Sequence, residues 1–159
     1  MVETRMKIGD TFFKAEQLEN LAGEVYDLLA RRLAANTDAA GLFERLAREE
    51  RQHARRVQML RLRIVGQPGV HADLHLPADR IDDLIATATA LKDRYSQDAL
   101  PALDLVLQEL VATEERFAVA HAEIIAGTQD ADTQRLFALL CKHDRAHREL
   151  LASVQARSV

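Results

Sequence analysis

Four stretches of this chain carry apolar residues at alternating steps of three and four, and each apolar stripe is broken by a carboxylate. Such steps put residues on one face of a helix, so each stretch is expected to fold as a helix with one side turned to a core. The stripes read Phe12, Ala15, Glu19, Ala22, Tyr26, Leu29, Leu33; Phe43, Leu46, Glu50, His53, Val57, Leu60, Ile64; Leu103, Leu107, Leu110, Glu114, Phe117, His121, Ile124; and Phe137, Leu140, Asp144, His147, Leu151, Val154. An ionised carboxylate in a dry core costs several kcal/mol unless it is paired, so the fold must supply these four with cations or protons. Composition points the same way. Of 159 residues, 26 are Ala and 23 Leu, while 6 Gly and 3 Pro leave little turn material for an all-β fold.

The turn residues fall between the stretches. The first helix is expected to open after Gly9-Asp10-Thr11, where Asp10 or Thr11 can cap, and to end near Ala35. Asn36-Thr37-Asp38 turns the chain and caps a second helix over about 39–65. Gly66-Gln67-Pro68-Gly69 is a hard break. A third long helix is expected from near Asp98, with Pro101 in its first turn, to Gly127. Thr128-Gln129-Asp130 then leads to a fourth over about 131–156. A short helix at about 79–93 follows Pro77 in the middle connection. Short turns make two antiparallel hairpins, 10–65 and 99–156, and the crossover 66–98 lets them pack as one domain over 1–159. The expected fold is all-α, a ferritin-like four-helix bundle with a long crossover. The halves also repeat: Leu42-Phe43-x-x-Leu46 followed by Arg51-x-His53 recurs 94 residues later as Leu136-Phe137-x-x-Leu140 and Arg145-x-His147.

Several functions are excluded. The single Cys141 permits no disulfide within the chain and no cysteine-ligated zinc, iron–sulfur or rubredoxin-type site. The charge of −4 comes from 21 basic and 25 acidic residues mixed along the chain, so no basic stripe argues for nucleic acid. No apolar run approaches the ~20 residues that span a bilayer. Met1 to Arg5 precede no apolar segment of the secretory kind, so a cytoplasmic setting is expected.

Residues three apart share a helix face, so Glu50/His53 and Asp144/His147 can each converge on one point. Two divalent cations would balance the four carboxylates, with both imidazoles neutral. A carboxylate from each of two helices plus a carboxylate–x–x–His pair from each of the others is the ligand set of di-metal carboxylate bundles. The alternative is that Glu19 and Glu114 face solvent at a helix edge while the pairs engage Arg48 or Arg148.

The run Glu19-Asn20-Leu21-Ala22-Gly23-Glu24-Val25-Tyr26, followed by Leu42-Phe43-Glu44-Arg45-Leu46-Ala47-Arg48-Glu49-Glu50-Arg51-Gln52-His53, resembles the first hairpin of rubrerythrins and related ferritin-like proteins. The resemblance covers nearly the whole chain and is sharper in the first half. It implies two iron ions, with manganese or a mixed pair possible, in a homodimer that reduces H2O2 or O2. It implies Glu19, Glu50 and His53 as one half-site and Glu114, Asp144 and His147 as the other, with Glu50 and Asp144 bridging. It also implies Tyr26 as a catalytic side chain, either a hydrogen-bond partner or an electron source. Three departures stand out. No rubredoxin cysteines are present, so the electron donor would be a separate protein. Phe117 stands where rubrerythrins place a further Glu. Asp144 is one methylene shorter than their Glu. A ferroxidase or iron-handling role, and a metal-poor helical interaction module, are the alternatives.

Other polar residues read as structural. His121 is expected to be a hydrogen-bonded core His, and His71, Asp73 and His75 to lie on the surface. His143 falls beside its stripe, solvated or just outside the centre. Glu24, Glu49 and Glu115 belong to solvated faces, with Glu115 a reserve ligand. Cys141, one position off its stripe, is expected to be buried and inert.

Overall fold

The computed structural model describes residues 2–67 and 77–157, with side chains from residue 9 onward. His71, Asp73 and His75 lie outside the described residues. Five helices follow in order: α1 (Val2–Arg32), α2 (Thr37–Gly66), α3 (Ala78–Tyr95), α4 (Leu103–Ala126) and α5 (Ala131–Arg157). The architecture is all-α. Helices α1 and α2 pack as one hairpin and α4 and α5 as the other, while α3 lies chiefly on α1 and more briefly on α4.

Local chemistry sets most boundaries. The Asn36 side chain accepts a hydrogen bond from the Ala39 amide at 3.1 Å and caps α2. Asp130 accepts from the Thr133 amide at 2.9 Å at the start of α5. Two boundaries differ from expectation. Helix α1 runs on through Gly9-Asp10 to Val2 without a break. Gly9 faces α2, where a Cβ would come within 3.3 Å of Val65 Cγ2, so close packing accounts for a residue that reads as a helix stop. Helix α4 begins at Leu103, beyond Pro101, and Ala102 is extended at ψ 142°. The proline ring disfavours helical geometry in the residue before it, and the chain enters the helix only after that constraint has passed.

The core has three apolar parts around a polar belt. Tyr26, Phe43, Leu107 and Leu151 fill one end of the bundle. Phe12, Val57, Ile64, Phe137 and Leu140 fill the other. Leu84 and Ala88 of α3 pack onto Leu18, Ala22 and Phe117. Phe117 therefore serves the cover that α3 lays over α1 and α4. Gly23 lets α1 and α2 approach closely beside the belt: a Cβ there would stand 3.4 Å from the Ala47 carbonyl oxygen and 3.5 Å from Glu50 Cβ. Among the described residues, no helix is long and apolar enough to cross a membrane.

Candidate metal centre

The belt gathers the polar residues of all four stripes. Glu19, Glu50, Glu114, Asp144, His53, His121 and His147 are each at most 2% exposed. The solvent-edge alternative for Glu19 and Glu114 is thereby excluded. Arg148, its supposed ion-pair partner, instead bonds the exposed Glu115.

All seven stand on the stripes that periodicity turned inward, and the structure brings five into two groups. Glu19, Glu50 and His53 offer donor atoms within 4.8 Å of one another, and so do Glu50, Glu114 and His147. Glu50 is common to both. Its Oε2 lies 3.0 Å from His53 Nδ1, while its Oε1 lies 2.9 Å from His147 Nδ1. One carboxylate thus presents one oxygen to each group, as a bridging ligand must. Glu19 Oε2 stands 3.4 Å from His53 Nδ1 and Glu114 Oε1 3.6 Å from His147 Nδ1.

The donors suit divalent cations. Among the described residues, the buried side-chain atoms without a hydrogen-bond partner are Glu19 Oε1 and Oε2, Glu50 Oε1, Glu114 Oε2, Asp144 Oδ1 and His147 Nδ1, all in this belt. An unpartnered buried carboxylate oxygen is expensive, and a concentration of them at one place marks a site built for something else to complete. His147 Nδ1 is unpartnered although Glu50 Oε1 is only 2.9 Å away. The approach is too oblique for a hydrogen bond, so the two atoms are neighbours rather than partners. Ligands about 2.1 Å from one ion and at right angles lie about 3.0 Å apart, which is the spacing seen here.

Each ligand-type imidazole is held from behind. His147 Nε2 meets Glu49 Oε2 at 2.8 Å, and His53 Nε2 meets His143 Nδ1 at 2.7 Å. Metal-binding histidines characteristically engage an outer group through their second nitrogen, which fixes the ring and its tautomer. Glu49, expected on a solvated face, is half-buried and serves this purpose. Sequence periodicity places it one residue off the stripe, and only the partner helix reveals its role.

Tyr26 and His121 make crossed contacts. The Tyr26 hydroxyl, from α1, donates to Glu114 Oε1 on α4. His121 Nε2, from α4, stands 3.0 Å from Glu19 Oε1 on α1. Asp144 joins neither group: its Oδ2 lies 2.6 Å from His121 Nδ1. His121 is a buried His engaged by polar partners, as expected, but those partners belong to the centre. Cys141 is buried and donates to the Ala118 carbonyl at 3.4 Å.

Electrostatics reflect the crowding. Burial alone would raise Glu19, but His121 and His53 outweigh it and hold the carboxyl well below its ordinary range. Burial, with the charges of Glu50 and Asp144 and against the pull of His147, pushes Glu114 up to about 7. Burial opposes charging of the imidazoles, yet Glu19 and Glu50 push His53 up to about 10, and Glu114 and Glu50 push His147 up to about 12. Burial and the nearby carboxylates Glu114 and Glu50 raise Tyr26 well above 10, so its hydroxyl stays a donor.

The family model described as rubrerythrin matches residues 13–155, nearly the whole chain. No curated protein and no solved structure matches it.

Proposed function

The chain belongs to the rubrerythrin family, and from that premise we propose that it is a diiron-carboxylate protein that reduces hydrogen peroxide or O2. The observation that carries this reading is the pair of buried carboxylate–imidazole groups sharing Glu50, one oxygen to each. Glu19, Glu50 and His53 would hold one iron, and Glu50, Glu114 and His147 the other. When bound, the iron pair supplies the two electrons that peroxide or O2 takes up, and a separate electron-donor protein restores them.

The protein's own residues prepare the place. The apolar clusters at both ends of the belt keep bulk water away. Glu49 and His143 fix the rings of His147 and His53, so their Nδ1 atoms face the groups. Tyr26 keeps its proton and uses it to hold Glu114, which puts it nearest to a catalytic role among the uncharged side chains. Ala22, Ala88, Leu91 and Phe117 line a narrow gap of about 10 Å³ beside Tyr26 and Glu114, room for roughly one water-sized molecule. A homodimer is part of the same proposal.

The test is metal content together with a redox titration. Elemental analysis should give two irons per chain. Anaerobic addition of H2O2 to the reduced protein should produce the visible absorption of a coupled ferric pair, and a reductant with excess peroxide should sustain turnover. Iron that is oxidised and then released as product, without peroxide turnover, would favour ferroxidase action. A chain that retains no pair of metals would overturn the reading.

A further inference from the structure

We infer that Asp144 is a positioning residue that acts through His121 on Glu19, and not a metal ligand equivalent to Glu50. The inference rests on the diiron reading above.

The repeat makes Glu50 and Asp144 counterparts, 94 residues apart in the same frame. Glu50 reaches both donor groups; Asp144 reaches neither. Loss of one methylene shortens a side chain by about 1 Å, while metal–ligand distances tolerate only about 0.2 Å. The His121 ring spans the shortfall. Its Nδ1 meets Asp144 Oδ2 at 2.6 Å and its Nε2 stands 3.0 Å from Glu19 Oε1. All three side chains are at most 2% exposed, so no water competes for these contacts.

Tyr26 and His121 are counterparts too, each seven residues beyond the first carboxylate of its half. Each reaches across the bundle toward the other half's carboxylate: the Tyr26 hydroxyl donates to Glu114 Oε1, and His121 Nε2 stands 3.0 Å from Glu19 Oε1 as a close neighbour without a hydrogen bond. Oε2 is left over in both cases: neither that of Glu19, 3.4 Å from His53 Nδ1, nor that of Glu114 has a hydrogen-bond partner. A tyrosine can do this alone. An imidazole has a second nitrogen that needs a buried acceptor, and Asp144 is that acceptor. Groups that hold a metal's ligands in place from outside are typically worth about 10–100-fold in metal affinity, and Asp144 fixes the ring that faces the ligand Glu19.

Chelator competition with Co2+ and metal analysis on the whole chain would test this in Asp144→Asn, Asp144→Ala, His121→Ala, the Asp144→Ala/His121→Ala double variant and Glu50→Gln. Asp144→Asn should keep two metals with near-wild-type affinity, because the amide oxygen still accepts from Nδ1. Asp144→Ala and His121→Ala should each weaken one of the two metals by about 10–100-fold. The double variant should be no worse than His121→Ala, because Asp144 has no other route to the metals. The inference is overturned if Asp144→Asn loses a metal as Glu50→Gln does, or if Asp144→Ala costs as much without His121 as with it. Should His121→Ala fail to fold by circular dichroism, His121→Gln takes its place in the cycle: its shorter amide cannot span both carboxylates, so Asp144→Ala should again be silent. A wild type that binds no metal pair overturns the diiron reading itself. A wild type that binds two while Asp144→Asn binds one overturns only this inference.

Discussion

Glu49 accepts the Nε2 proton of His147 at 2.8 Å, on the side of the ring opposite Glu50. The two adjacent glutamates of α2 thus flank one imidazole: Glu49 holds its Nε2, and Glu50 Oε1 stands beside Nδ1 without a hydrogen bond. Burial opposes it, but Arg45 and His147 hold the Glu49 carboxyl below its ordinary value, so it is ionised at neutral pH. Replacing Glu49 with Ala should lower affinity for the metal at His147 by about 10–100-fold and leave the other metal nearly unaffected. Glu50→Ala, by contrast, should abolish the pair. Metal-per-chain measurements on both variants check this, and equal losses from both metals in Glu49→Ala would contradict it.

Tyr26→Phe deletes one hydroxyl and leaves Glu114 Oε1 without its donor. Both groups are fully buried, so the stranded acceptor should cost about 1–3 kcal/mol of stability in the metal-free protein. The phenyl ring fills nearly the same volume, and packing on Phe43, with ring centroids 6.0 Å apart, should persist. Thermal melts of both proteins in chelator should show the loss. A smaller loss with metal bound is expected, because a cation then satisfies Glu114.

Which residues turn toward the centre is legible in the sequence. Periodicity identifies which residues turn inward, and Glu19, Glu50, His53, Glu114 and His147 follow from it because a helix fixes side-chain direction at each step. The crossed partners do not follow. His121 with Asp144, Glu49 with His147 and His53 with His143 depend on how far α5 sits from α2 and α4, and no local pattern encodes that distance. Asp144 shows the limit most clearly. Its phase reads correctly as buried, but its reach depends on one methylene and on a neighbouring ring. Gly9 and Pro101 mislead for a related reason. A glycine reads as a stop and a proline as a first-turn residue on local grounds, whereas packing against Val65 and the constraint on Leu100 decide their positions.

Stability of the metal-free protein should fall as pH rises through the neutral range. His53 is pushed up to about 10 from 6.5, its burial outweighed by contacts with Glu19 and Glu50. The folded state therefore binds that proton more tightly than the unfolded state. This contribution is fully present below about pH 6.5 and is lost as pH approaches about 10. Glu114, raised to about 7, adds stability below about 4.5 that disappears by about 7. Glu19 acts oppositely: its lowered value contributes above about 4.5 and is lost only in acid. Melting temperatures in chelator should decline from about pH 6.5 to about pH 10. With Co2+ present the stabilisation by metal should instead grow over that window, because metal and protons compete for the same donors. A metal-free melting temperature that rises across the window would contradict this.

Metal should stabilise the fold and load in two unequal steps. Free metal a thousandfold above its dissociation constant adds about 4 kcal/mol, or roughly 8–16 °C for a chain of this size. The two groups differ in what must leave before metal enters. In the first, Glu19 is already ionised and only the His53 proton, held at about 10, must go. In the second, His147 holds its proton at about 12 and Glu114, at about 7, is partly protonated near neutrality. The Glu19 group should therefore load first and more tightly, releasing about one proton, and the Glu114 group second, releasing between one and two. Lowering the pH from about 8 to about 6 should widen the gap between the affinities, because Glu114 then takes up a proton that Glu19 does not. Anaerobic titration calorimetry with Co2+ in buffers of different ionisation enthalpy measures both quantities. Two equal affinities at about pH 6, with the same proton release at each step, would show that the halves bind metal alike despite their different environments.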